Sequence, residues 1–165
     1  MKRIISKIAV VFLILISNGL QAQNAQPNLD QFESWKQTVG TWEHKISKDS
    51  TYIYSIEPYG LGGVGWSKIT VNDKTIQESR FVVGYNKEMN KMVYANLVKG
   101  KELALTVRWA TSKNRSVRVD LNYVSNLDNA PRKFETEIKS PDMYLEYIYI
   151  KNKLIETKTW TRVKQ

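Results

Sequence analysis

The chain has 165 residues, with 25 Lys and Arg against 16 Asp and Glu, one histidine and no cysteine, for a formal net charge of +9. Without cysteine there is no disulfide, no thiolate nucleophile and no cysteine-ligated metal, and one histidine leaves too few ligands for the usual zinc sets. The basic residues are dispersed singly rather than gathered into a stripe or a nucleic-acid module, so the charge reads as solubility and nucleic acid is not an expected partner.

Met1, Lys2, Arg3 and Lys7 surround the start of an unbroken apolar run at residues 8–16 (IAVVFLILI), and Ala22 offers a small residue for cleavage. The expectation is a signal peptide at residues 1–22, and hence an exported protein, periplasmic or secreted. The run is too short to span a bilayer comfortably and no second one follows, so no stable membrane insertion is expected after its removal. Residues 23–27 read as a mobile lead-in, and residues 28–165 as a single domain.

Leu29, Phe32, Trp35 and Val39 recur at spacings of three and four, one apolar face of a short helix that starts near Asn28 or Asp30 and ends at Gly40. From Thr41 onward the period is two. Leu103, Leu105, Val107 and Trp109 alternate with Ala104, Thr106, Arg108 and Ala110, and Val117, Val119, Leu121 and Tyr123 alternate with Arg118, Asp120 and Asn122. Each pattern predicts a strand with one buried and one wet face. Turn-like breaks at 48–50, 59–63, 72–74, 86–90, 99–101, 112–114, 125–132, 140–142 and 151–153 delimit about ten strands with short connections. No later segment is helical enough for a parallel crossover. So many sequential antiparallel strands leave costly edges unless the sheet closes, which favours an up-and-down antiparallel barrel preceded by a short helix.

Gly40-Thr41-Trp42, after a helix and opening the first strand, resembles the G-x-W signature of the calycins, the lipocalin and fatty-acid-binding-protein group. Such barrels pair that tryptophan with an arginine on the last strand, and Arg162 stands in the matching place in Thr159-Trp160-Thr161-Arg162-Val163. Residues 81–95 (FVVGYNKEMNKMVYA) are similar to a strand-turn-strand of bacterial secreted lipocalin-like domains. The resemblance implies a calycin-like barrel in which Gly40, Trp42 and Arg162 close one end as structural residues. It departs from fatty-acid-binding proteins in two places. Residues 47–51 leave room for a turn and not for two helices, and Arg162 is followed by Lys164 where those proteins have a tyrosine.

The remaining chemistry is sparse. His44 shares strand parity with Trp42 and reads as a hydrogen-bonded structural histidine, with haem ligation as a lesser alternative; no metal or cofactor is expected. Asp120 and Glu146 fall among outward positions, and Glu135 and Glu137 on a solvent face, so paired-carboxylate chemistry is not indicated. Gly60, Gly62, Gly63 and Gly65 lack the lysine of a phosphate loop and read as a flexible rim loop or a strand bend.

The aromatics on strands either fill the interior or line a cavity. The first expectation is a barrel that binds a small hydrophobic or amphipathic molecule without catalysis, contacted by Trp66, Trp109, Tyr123 and Tyr147. The alternatives are an enzyme working in the same cavity around a buried His44, and a filled-core envelope protein that interacts through its basic exterior.

Overall fold

The computed structural model describes residues 29–164. The expected signal peptide and lead-in, residues 1–22 and 23–27, lie outside the described residues.

Asp30 caps the first helix, its carboxylate accepting from the Glu33 N–H at 2.9 Å. The helix α1 (Gln31–Lys36) is followed by ten strands: β1 (Gly40–Ser47), β2 (Ser50–Tyr59), β3 (Gly62–Val71), β4 (Lys74–Asn86) and β5 (Lys91–Val98). Then come β6 (Ala104–Ser112), β7 (Arg115–Asp120), β8 (Arg132–Ser140), β9 (Met143–Ile150) and β10 (Lys153–Arg162). Every strand pairs antiparallel with its sequence neighbours, and β1 pairs with β10, so the sheet is a closed up-and-down barrel. The expected all-β architecture with about ten strands and a preceding helix is therefore the observed one.

Local chemistry explains the turns. Asn72 and Asp73 have φ of 47° and 62°, and Lys151 and Asn152 the same pair of values, which are the two left-handed positions of a tight hairpin. One expectation needs correction. The run through Tyr123 is not one strand: β7 stops at Asp120 and Leu121–Tyr123 forms a 3-10 turn. Within the glycine-rich stretch, Gly62, Gly63 and Gly65 lie in strand β3, while Gly60, at φ 56°, sits in the connection between β2 and β3. A Cβ on Gly63 would lie 3.3 Å from the Trp35 ring, and one on Gly65 would lie 2.4 Å from the Phe81 ring. These glycines leave room for the Trp35 and Phe81 rings to approach the strand closely.

The core divides into three clusters. Trp35, 1% exposed, drops from α1 into one end of the barrel against Ile56, Val83, Met92 and Tyr94. Gln31 fixes the helix there, its side-chain amide bonded to both the N–H and the C=O of Ala110 on β6. Trp42, Tyr144 and Trp160 form a second cluster inside the wall. The third lies outside the barrel: Val107, Trp109, Val117 and Val119 are covered by the segment that carries Leu121, Tyr123, Val124 and Leu127. Thr106–Ala110 of β6 are consequently buried on both faces, as are most residues of β7, and the apolar face is the outer one.

The seam between β1 and β10 is short, with only Trp42↔Arg162 and Glu43↔Thr161 in register. Side chains extend it. His44 Nδ1 lies 3.0 Å from the Thr159 carbonyl, and the Thr161 hydroxyl donates to the Glu43 carbonyl at 3.4 Å.

Candidate functional site

The Cβ alternation and the register place one set of side chains inside. Directly opposed residues in an antiparallel sheet share a face. Trp42 is buried and opposes Tyr54, Tyr54 opposes Ser67, and Ser67 opposes Ser79. In the other direction Trp160 opposes Tyr144 and Thr136 opposes Glu146, while Arg118 opposes Arg108. All of these except Trp42 line a chamber of about 120 Å³, and Tyr52, Ile56, Phe81 and Tyr94 are among the other residues of its wall.

The chamber is polar and has an internal charge imbalance. Arg108 is 7% exposed, and its Nε donates to Ser116 Oγ and its Nη1 to Thr38 Oγ1, both at 2.9 Å. Thr38 in turn donates to the Trp35 carbonyl at 2.8 Å, so the hydroxyl is locked as an acceptor for the guanidinium. No carboxylate among the described residues lies within salt-bridge distance of Arg108. Its cross-strand neighbour Arg118 does have one, Glu146 Oε1 at 3.2 Å. Burial alone would pull the Arg118 guanidinium down, but the Glu146 carboxylate beside it holds it above its ordinary value.

Glu146 is thus a lining residue and not an outward one, which corrects the expectation from alternation. Tyr144 donates to the Tyr54 hydroxyl at 2.8 Å, and burial pushes both phenols well up, so both remain neutral hydrogen-bonding groups. Ser67 and Ser79 bond each other at 2.7 Å. The buried Trp160 Nε1–H has no partner among the described residues.

The tryptophans and tyrosines singled out from the sequence are placed elsewhere. Trp66 faces outward, its ring 5.7 Å from Lys68 Nζ. Trp109 belongs to the outer cluster, with Tyr123 packed against it from the 3-10 turn, and Lys91 Nζ lies 5.1 Å from its ring. Tyr147 donates to Glu137 at 2.8 Å in a separate hollow on the β7–β9 side. None of the four lines the chamber, and the structure does not bring them together.

Gly40, Trp42 and Arg162 do meet. The Arg162 guanidinium carbon sits 4.2 Å above the Trp42 ring, and Arg162 donates to the Val39, Gln37 and Pro141 carbonyls at 2.7, 3.3 and 2.9 Å. Gly40, at φ 109°, passes so close that a Cβ would lie 2.6 Å from Arg162 Nη1. His44 is half-buried, engaged with the Thr159 carbonyl and tilted against Trp160; it does not line the chamber. Among the described residues no three His, Asp or Glu side chains form a metal-binding group.

Fold and interior together define a class: a closed ten-strand antiparallel barrel, plugged at one end by a helix, around a small polar chamber lined by a buried cation, Arg108, without a carboxylate partner among the described residues. In comparisons with known proteins, no family model, no curated protein and no solved structure matches the chain.

Proposed function

We propose that this is an exported calycin-type binding protein that takes a small amphipathic molecule into its barrel and does not transform it. The observation that carries the reading is the chamber itself. Its wall carries a buried indole N–H without a partner, that of Trp160, and an unpartnered buried polar group costs free energy unless a bound molecule or water satisfies it. The clamp of Arg162 over Trp42 behind Gly40 supports the calycin comparison, because those are the residues on which the resemblance rests. The polar lining favours an amphipathic cargo over a purely apolar one. His44 is committed to a main-chain carbonyl, so the reading of an enzyme built around that residue gains no support.

The test is native mass spectrometry on protein purified gently from the cell that makes it, followed by organic extraction. One small molecule per chain, lost on mild denaturation, supports a carrier or receptor. A bare chain mass from several growth conditions argues for an interaction protein instead.

A further inference from the structure

We propose that the outer face of β3–β6 is a docking surface for a second copy of this chain, giving a twofold dimer in which Gly84 marks the closest approach. The surface lies on the other side of the sheet from the chamber, so the proposal does not depend on what the chamber holds.

Alternation and register assemble the surface. Phe81, Tyr94 and Asn96 line the chamber, so Val82, Ala95 and Leu97 point outward. An apolar row then crosses four strands: Val64 opposes Val82, Val82 opposes Ala95, and Ala95 opposes Leu105. Extending the β5–β6 register by one pair sets Leu103 opposite Leu97. Tyr59 flanks the row where β2 meets Gly62. Tyr59, Val64, Val82, Leu97, Leu103 and Leu105 are between 40% and 80% exposed. Single exposed apolar residues are ordinary, but a contiguous field of them on one face marks an interaction site.

Gly84 is the second observation. It lies on the same outward face, two residues from Val82 and opposite Gly62 and Val93. Glycine weakens a strand interior, and the other described glycines each have a reason within the chain. Gly40, Gly60 and Gly100 have left-handed φ, and a Cβ on Gly62, Gly63 or Gly65 would meet neighbouring atoms. At Gly84 the backbone is ordinary and a Cβ would meet nothing within 4 Å. An open strand glycine amid exposed apolar side chains fits a place where another backbone comes close.

Area and charge select the occupant. The six side chains expose on the order of 500 Å² of apolar surface. A standard interface covers about 800 Å² on each partner and is about 65% apolar in homodimers, which asks for roughly the same apolar area per copy. The rim carries both signs: Lys68, Arg80, Lys99 and Lys101 stand against Glu57, Glu78 and Glu102, and Arg80 pairs with Glu78 at 3.1 Å. This rim is nearly balanced although the chain carries +9, so two copies can meet here without the repulsion of their net charge. An anionic lipid surface would instead select a rim of cations. The lead-in expected after cleavage, residues 23–27 (QNAQP), has no large apolar side chain with which to cover the face.

The experiment is sedimentation equilibrium of the purified protein from about 1 μM to about 500 μM. A monomer–dimer equilibrium is expected in that range, with no larger species, because a twofold interface closes on itself. Val82→Glu brings a buried charge to the contact from each copy and is expected to weaken association at least about tenfold. Gly84→Ala adds a methyl at the closest approach on both copies and is expected to weaken it by about tenfold, with the monomer no less stable. Ile155→Glu, at a position 53% exposed on β10, is expected to change nothing. A chain that stays monomeric throughout overturns the proposal. So does a dimer that Val82→Glu leaves intact, or one that Ile155→Glu weakens as much. A dimer weakened by Val82→Glu but not by Gly84→Ala keeps the face and overturns the role of the glycine. Co-sedimentation with phosphatidylglycerol vesicles is the companion measurement: binding of the monomer that Val82→Glu abolishes gives the face to a lipid surface and overturns the second copy. Should Val82→Glu fail to fold, the contrast between Gly84→Ala and Ile155→Glu still decides.

Discussion

Arg162 and Trp42 face each other as register partners across the β1–β10 seam, with the guanidinium carbon 4.2 Å above the indole. That contact lies at the weakest joint of the barrel, where only two residue pairs are in register. Arg162 also gathers the Val39, Gln37 and Pro141 carbonyls, and so ties the chain entering β1 to the turn between β8 and β9.

Replacing Arg162 by Ala therefore removes a cation–π contact and three charge-assisted hydrogen bonds at once. With the side chain 28% exposed, solvent recovers part of the loss. The expected destabilisation is about 2–3 kcal/mol, read as a shift of the urea midpoint with an unchanged m-value. Lysine restores the charge but not the fork, so Arg162→Lys is expected to fall between the two.

Gly40 provides a sharper test of the same arrangement. Alanine there meets two separate penalties: a left-handed φ of 109°, and a Cβ 2.6 Å from Arg162 Nη1. Only the second disappears when Arg162 is absent. A double-mutant cycle of Gly40→Ala with Arg162→Ala is expected to show a coupling of about 1 kcal/mol, the glycine substitution costing less in the alanine background. Strict additivity would mean that the glycine is needed for its backbone angle alone.

The barrel was legible in the sequence because turn chemistry and period-two alternation are local signals. Each of the nine expected breaks overlaps one of the nine connections between strands. The interior was not, and the reason is the direction of that alternation. In a sheet with one wet face the apolar residues of β6 and β7 would be the inner ones. Here Val107, Trp109, Val117 and Val119 are buried outside the barrel by the segment from Leu121 to Leu127, and the polar set with Arg108 and Arg118 points inward. No local pattern distinguishes the two cases. A signal did exist at longer range: Trp42 fixes the inward phase, and tight hairpins carry that phase from strand to strand through pairs such as Trp42↔Tyr54 and Tyr54↔Ser67. Following it would have placed Ser67 inside and Trp66 outside.

Trp109 separates a core residue from a ligand contact. It is 5% exposed in the outer cluster, so Trp109→Ala is expected to cost about 3–5 kcal/mol of stability. Any ligand affinity measured well below its melting temperature should remain within about twofold of wild type, since the chamber is on the other face of the sheet. A large loss of affinity in a variant that is still folded would return Trp109 to the binding site.

Glu137 marks the acid limit of stability. Hydrogen bonds from Lys139 and Tyr147, with Arg115 beside them, hold its carboxyl at about 2, below the ordinary 4.5. A carboxylate whose folded value is depressed stabilises the fold above the unfolded value and loses that contribution as pH falls toward the folded one. The stability gap between wild type and Glu137→Gln should therefore be fully present at pH 6 and should close between about pH 4.5 and pH 2. The same contact raises the Tyr147 phenol, so the glutamine variant should bring the Tyr147 titration back toward its usual range.

At the alkaline limit the chamber itself responds. Tyr54 and Tyr144 share a hydrogen bond, and burial raises both above the ordinary value of 10.0. Below pH 10 the phenols are neutral in the folded and the unfolded chain alike, and their contribution to stability is complete. Above it, the unfolded chain releases both protons while the folded chain keeps them. Stability should then fall by roughly 2.7 kcal/mol for each pH unit on account of this pair. Of the nine tyrosines, these two should contribute no phenolate absorbance until the barrel unfolds, and their signal should appear together with the loss of near-ultraviolet dichroism. Tyr54→Phe and Tyr144→Phe should each flatten the alkaline slope by about half. A smooth titration of every tyrosine before unfolding would mean that solvent reaches the chamber freely.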